Sequence, residues 1–116
     1  MDGKLVVKMR RNINVIPLDS IMYLENRKRK IVVHTPDGIY EEYGSLTEII
    51  KALDDSFLHC HRSYLLNMES IASMSNQQIT FCDGSTIFMG RGTFLRTRRK
   101  VEEYLEGKNE KSIENP

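Results

Sequence analysis

Phe57-Leu58-His59-Cys60-His61-Arg62-Ser63-Tyr64-Leu65-Leu66-Asn67 is the stretch whose reading decides the fold. Phe57, Leu65 and Leu66 demand a core, so the segment reads as buried strand. Arg62 and Ser63, in its middle, demand a partner outside that core. A second isolated arginine, Arg91, follows an expected hairpin and is flanked by Gly90 and Gly92. Both arginines are expected in short loops of a small β-rich domain, which points to an anion-bearing surface as partner.

Outward from this segment, β signals dominate. Leu5–Met9 and Ile13–Ile16 are short β-branched runs joined through Arg10-Arg11-Asn12, a hairpin pattern. Pro17-Leu18-Asp19-Ser20 interrupts them as a single helical turn. Ile21–Glu25 and Lys30–Thr35 read as strands, with the basic run Arg27-Lys28-Arg29-Lys30 at the solvent-open tip between them. Pro36-Asp37-Gly38 is turn chemistry, since proline presets φ and glycine tolerates the left-handed region. Ile39–Tyr43 closes the meander. Ser45 and Glu48 have capping-box spacing, and Leu46, Ile49, Ile50 and Leu53 recur at helical intervals, predicting a short helix over about 46–54. Asn67–Ile71 reads as a turn. Gln78–Cys82 and Ser85–Met89 form a hairpin across Asp83-Gly84. A last helix is expected over about 93–105, with Phe94, Leu95, Val101 and Leu105 as its apolar stripe and Gly107 just past its end. Residues 1–107 then form one domain, and 108–116 a polar tail expected to be disordered.

At 116 residues the chain can bury a core without metal or disulfide support. The net charge of +1 gives no global attraction for a polyanion, so its distribution must be read instead. Basic residues collect at 27–30 and at Arg91, Arg96, Arg98, Arg99 and Lys100; acids collect at Glu41-Glu42, at Asp54-Asp55 and after Val101. Such segregation builds one positive face on a nearly neutral protein. Cys60 and Cys82 lack metal spacing and sit in apolar runs, so both are expected buried and reduced. The N-terminus carries no secretory pattern, and no run approaches the roughly 18 apolar residues of a membrane span. Cytoplasmic location follows as the expectation.

Catalytic and metal chemistries find little support. His59 and His61 alternate with Cys60, so in a regular strand the three do not converge on an ion, and no second cluster completes a ligand set. Ser63 near His61 lacks an orienting carboxylate and a nucleophile elbow. Neither catalysis, metal nor cofactor is expected. Arg98 and Arg99 precede Glu102 and Glu103 by four residues, the spacing of ordinary helix-surface pairs. Four like charges on a tight tip at 27–30 repel unless an anion compensates. Planar guanidinium donors suit Arg62 and Arg91 to gripping the O6 and N7 of guanine or clamping a phosphate, against the plainer role of a structural ion pair. Ser63 and Thr93 can donate to phosphate oxygens, and Gly90 and Gly92 would let backbone approach a duplex. Double-stranded DNA is the partner these residues favour.

The segment Phe57–Asn67 followed by Ile71, Asp83-Gly84 and Arg91, with Ile16-Pro17-Leu18-Asp19-Ser20-Ile21-Met22-Tyr23-Leu24-Glu25 upstream, resembles the LytTR DNA-binding domain of bacterial regulators. The resemblance spans about residues 4–105. It implies a mainly β, elongated, sandwich-like fold of three small antiparallel sheets with few helices. It further implies that loops enter successive major grooves at short direct repeats. Carried over residue by residue, base contacts fall at Arg29, Arg62 and Arg91. Backbone contacts fall at Arg27, Lys28, Lys30, His61, Ser63 and Thr93. The chain departs from the family at His59, where arginine is common, and at Gly90, where serine is usual.

A sequence-specific transcription regulator is therefore expected. Because the LytTR-like region begins within a few residues of Met1, the expected form is stand-alone, without a receiver domain. The alternatives are an output domain of a larger two-component regulator and an interaction module for an acidic protein. A second copy on an adjacent repeat and a regulatory protein are the further partners expected.

Overall fold

A computed structural model of the chain describes residues 3–108. Of the expected tail, only Lys108 falls among them. The described part is elongated, 55 × 31 × 24 Å, and consists of three antiparallel sheets in three layers.

The first layer is a two-stranded ribbon, β1 (Lys4–Met9) and β2 (Asn12–Pro17). Alternation in β1 buries Leu5 and Val7 and exposes Lys4, Val6 and Lys8, the signature of a strand with one wet face. A 3-10 turn at Leu18–Ser20 leads into the central layer. Its five strands run in the order β5-β4-β3-β7-β6. They are β3 (Tyr23–Arg27), β4 (Lys30–Thr35), β5 (Gly38–Tyr43), β6 (Phe57–His61) and β7 (Tyr64–Asn67). Both faces of this sheet are covered, which is why β4 carries three consecutive buried aliphatics, Ile31, Val32 and Val33. The third layer contains β8 (Ile71–Ser75), β9 (Gln78–Phe81) and β10 (Thr86–Phe88), followed by the helix α2 (Arg91–Gly107).

Two cores join the layers. Leu5, Val7 and Ile16 of the ribbon pack with Leu24, Ile31, Val33 and Leu65 of the central sheet. On the other face Met22, Tyr23 and Leu66 meet Ile79, Phe81, Ile87, Met89 and Phe94. Tyr23 links the pieces, stacking on His34 at 4.2 Å and on Phe81 at 5.0 Å between ring centroids.

The fold class matches the sequence expectation, with particular corrections. The first helix, α1, is only Leu46–Ile49, continued by a 3-10 turn at Ile50–Ala52, not a helix over 46–54. Ser45 caps it, its hydroxyl accepting from Glu48 N at 3.3 Å, but the Glu48 carboxylate bonds Lys51 and does not complete a capping box. Ser45→Ala should cost about 1 kcal/mol, a shift in the urea midpoint with unchanged slope. The second helix begins at Arg91 and includes Gly107, so neither its expected start at 93 nor Gly107 beyond its end holds. Strand β8 was not anticipated. Cys82 is exposed, its thiol donating to Ser70 O at 2.9 Å, and Cys60 is partly exposed. Burial pushes the Cys60 thiol up to about 11, so it stays protonated near neutrality.

Candidate nucleic-acid interface

Strand direction places the basic groups. In the register of the central sheet Arg27 pairs with Lys30 and Glu25 with Tyr64, so the β3–β4 tip and the β6–β7 turn lie at the same end. A backbone hydrogen bond from Asn26 N to Ser63 O, 2.9 Å, ties the two loops together. Phe57 and Asn67, which pair with each other, mark the opposite end.

At the β3–β4 tip, Arg27 and Lys30 are flanking strand residues and only Lys28 and Arg29 occupy the turn. Lys28 has φ 58°, a left-handed conformation uncommon for a side chain of this size. Glu25 accepts from both Arg27 Nη2 at 3.2 Å and His34 Nε2 at 3.0 Å, and Glu41 lies 3.5 Å from Lys30. These pairs relieve the repulsion that the four-charge run implies. Among the described residues Lys28 and Arg29 have no ion-pair partner, and both are exposed. Gly44 N donates to Arg29 O at 3.0 Å and fixes the tip against the end of β5. Beside it lies a groove of about 630 Å³ lined by Val32, Tyr43, Glu41 and the four basic residues.

In the β6–β7 turn, His61 Nδ1 accepts from Ser63 N at 2.9 Å. The neutral ring then carries its proton on Nε2, which remains a donor. The pairing register shifts between His59 and His61, so a bulge at Cys60 breaks the strict alternation expected of these residues. Among the described residues no group of His, Cys, Asp or Glu is arranged to hold a metal. Arg62 is exposed at the apex of the turn.

Arg91 is not in a loop, as the two glycines suggested, but in the first turn of α2. Gly90 is the N-cap, without a side-chain cap, and Phe94 N donates to Gly90 O at 2.8 Å. The open amides of that first turn and the helix dipole favour a bound anion. Thr93 is partly occupied: its hydroxyl accepts from Arg96 Nη2 at 3.3 Å, and its carbonyl accepts from Thr97 Oγ1 at 2.8 Å. A Cβ at Gly92 would meet Arg96 Nη1 at 3.4 Å, an ordinary contact, so the glycine reflects no tight packing.

The direction of α2 brings Arg91 to the same end. Thr97 meets the Cys60 thiol, while Tyr104 donates to Glu69 Oε2 at 2.7 Å, beyond Asn67. From Tyr104 back to Thr97 the helix therefore runs toward the Arg62 turn, and the six residues from Thr97 to Arg91 carry it about 9 Å further. The turn Arg10-Arg11 of the ribbon reaches this end as well, because Lys8 N donates to Glu42 Oε1 at 3.2 Å near the end of β5. At the far end a cleft of about 450 Å³ is lined by Asp19, Asp54, Asp55 and Glu69, with Lys4, Lys108 and Tyr104 among its other residues. Burial, and then the hydrogen bond to Glu69, push the Tyr104 phenol up. His61 lines neither cleft. Arg98 stands 3.8 Å from Glu102, the helix-surface pair its spacing predicts.

Lys28, Arg29, Arg62 and Arg91 thus lie toward one end, while Arg27, Lys30, His61 and Thr93 also bond within the protein and Arg98 stands along the helix. No described helix is long and apolar enough to cross a membrane.

Comparison with known proteins fits this arrangement. Residues 11–102 match the family model of the LytTr DNA-binding domain. Accessory gene regulator protein A of Staphylococcus epidermidis is 27% identical over 88 residues, covering 71% of this chain and 37% of that protein. The Staphylococcus aureus protein of the same name is 29% identical over 76 residues, covering 62% of this chain and 32% of that one. The chain thus spans about a third of the length of these relatives. In fold, it superposes with a TM-score of 0.72 on the LytTr DNA-binding domain of a methyl-accepting/DNA response regulator from Bacillus cereus. That match, at 22% identity, covers 88% of this chain and 98% of the other. With the family model covering residues 11–102, most of its length, and the fold in agreement, this chain belongs to the LytTr DNA-binding domain family.

Proposed function

We propose that the chain is a sequence-specific regulator of transcription that reads short direct repeats in double-stranded DNA through its loop end. The observation that carries this reading is the convergence of Lys28-Arg29, Arg62 and Arg91, from two different layers, on one end of a molecule whose total charge is only +1. Arg29, Arg62 and Arg91 supply bidentate donors to base edges. Lys28, His61 through Nε2, Ser63 and Thr93 contact phosphates, and Arg27 and Lys30 do so while paired to Glu25 and Glu41. One domain offers few such contacts, so a second copy on an adjacent repeat raises occupancy. The relatives are longer, and the same surface serves a stand-alone regulator or the output module of a larger one. The setting is the cytoplasm, where a duplex is available.

Selection from a random duplex library at near-physiological salt tests this. The expected result is a short direct repeat in the bound pool. Retention that vanishes with modest added salt, with no motif enriched, would reduce the interaction to charge attraction. An acidic protein seated in the groove beside Tyr43 would then be the better reading.

A further inference from the structure

We propose that the Arg10-Arg11 turn is a fourth contact element, which holds a DNA phosphodiester flanking the bases read by the other loops. This rests on the DNA reading above and extends it to a layer of the fold to which no ligand contact has been assigned.

Charge is the first argument. From Lys4 to Pro17 the ribbon carries Lys4, Lys8, Arg10 and Arg11 and not one acidic residue, in a chain whose total is only +1. Met9 pairs with Asn12, so Arg10 and Arg11 alone form the turn, and both are exposed. Among the described residues neither has an ion-pair partner. Arg10 has φ 56°, where glycine, asparagine or aspartate is the cheaper occupant. A turn built only for its backbone would carry one of those.

Position is the second. The ribbon is fastened at both ends. Leu18 N donates to Gly3 O at 3.0 Å at the far end, and Lys8 N donates to the Glu42 carboxylate near the tip. Its apolar face is buried against Ile31 and Val33. The Arg10-Arg11 tip is therefore held at the same end as Lys28-Arg29, one layer away, which for stacked sheets is about 10 Å. The major groove is about 12 Å wide. With the central tips inside it, a tip displaced by one layer lies over its sugar-phosphate wall. Guanidinium groups there meet phosphate oxygens, to which they bind bidentately.

The test uses the full chain and the double variant Arg10→Asn/Arg11→Gln, whose first substitution suits the left-handed turn. Thermal melting checks that both fold. Anisotropy titrations against a selected and a scrambled duplex are run between about 50 and 200 mM salt, the range over which phosphate contacts show. Loss of two phosphate contacts is expected to lower the slope of log K against log salt by about 1.8 and to weaken both duplexes by the same factor, roughly tenfold. An unchanged slope and affinity overturn the proposal and leave the DNA reading standing. Loss confined to the selected duplex overturns it too, since that signals base reading. A parent that never distinguishes the duplexes sinks sequence reading, while a slope lost in the variant would still establish the turn as a phosphate contact. A parent that binds neither duplex ends both.

Discussion

Replacing Arg62 with alanine is expected to erase the difference in affinity between a selected duplex and a scrambled one. The side chain stands at the apex of a two-residue turn whose shape does not depend on it. His61 Nδ1 holds Ser63 N, and Asn26 N holds Ser63 O. Alanine at 62 keeps both bonds, so the loop persists while its reading group is gone. A bidentate arginine–guanine pair discriminates by about 1–3 kcal/mol, and in a site with few base contacts that is most of the specificity. Competition titrations at fixed salt would show roughly 10- to 100-fold loss on the selected sequence and a much smaller change on the scrambled one. Arg98→Ala is the control: that guanidinium stands 3.8 Å from Glu102 on an exposed helix face, and its loss should leave both affinities nearly unchanged. Full discrimination retained in Arg62→Ala would remove this residue from the interface.

The largest stability loss at a polar position is expected for Asn67→Ala. Asn67 is 1% exposed. Its amide nitrogen donates to Ile21 O at 2.8 Å and Leu18 O at 3.4 Å, and its oxygen accepts from Glu69 N at 3.1 Å. One side chain thus joins the 3-10 turn before β3 to the turn after β7, across 46 residues of sequence for its shortest bond. Ile21 O retains the Ser70 hydroxyl at 3.2 Å, so it is not orphaned. Leu18 O likewise keeps the Ile21 amide at 3.1 Å, so the cost lies in three lost hydrogen bonds, each worth about 0.5–1.5 kcal/mol, with Glu69 N left without its side-chain partner. A total near 3 kcal/mol is expected, read as a lower urea midpoint; a loss below about 1 kcal/mol would mean the backbone finds other partners.

Strands whose residues are β-branched and bounded by turn chemistry were legible before the structure. Lys30–Thr35 was delimited to the residue, and the basic tip fell where expected, because periodicity and turn signals agreed there. Strand β8 escaped because Ala72, Ser73 and Ser75 are small, polar-leaning and exposed at a sheet edge. It exists through pairing with β9 across Asn76 and Gln77, both left-handed with φ 53° and 65°, a turn conformation without the usual glycine. Gly90 and Gly92 hid the start of α2. Tertiary packing of Phe94, Thr97 and Val101 outweighs the roughly 1 kcal/mol that a helical glycine costs. Arg62 and Arg91 stood out as isolated arginines at expected strand exits and Arg29 through the family resemblance, whereas their common end depends on strand register and helix direction. The Glu25 and Glu41 partners of Arg27 and Lys30 depend on side-chain reach across the sheet. Arg10 and Arg11 read only as a connection, since nothing local shows which end of the molecule a hairpin tip occupies.

The separation of charge between the two ends has a kinetic meaning. With Lys28, Arg29, Arg62 and Arg91 toward one end and Asp19, Asp54, Asp55 and Glu69 lining the cleft at the other, the molecule carries a charge separation, a dipole, despite a net charge of only +1. In the field of a polyanion the two ends feel opposite forces, so the molecule experiences a torque before it touches anything. Encounters would then begin with the reading end already forward, and collisions by the acidic end would be turned away. The orientational search that slows most association is shortened by this alignment. Added salt, by collapsing the dipole's range to a Debye length near 8 Å at physiological strength, would slow arrival even where every final contact is kept.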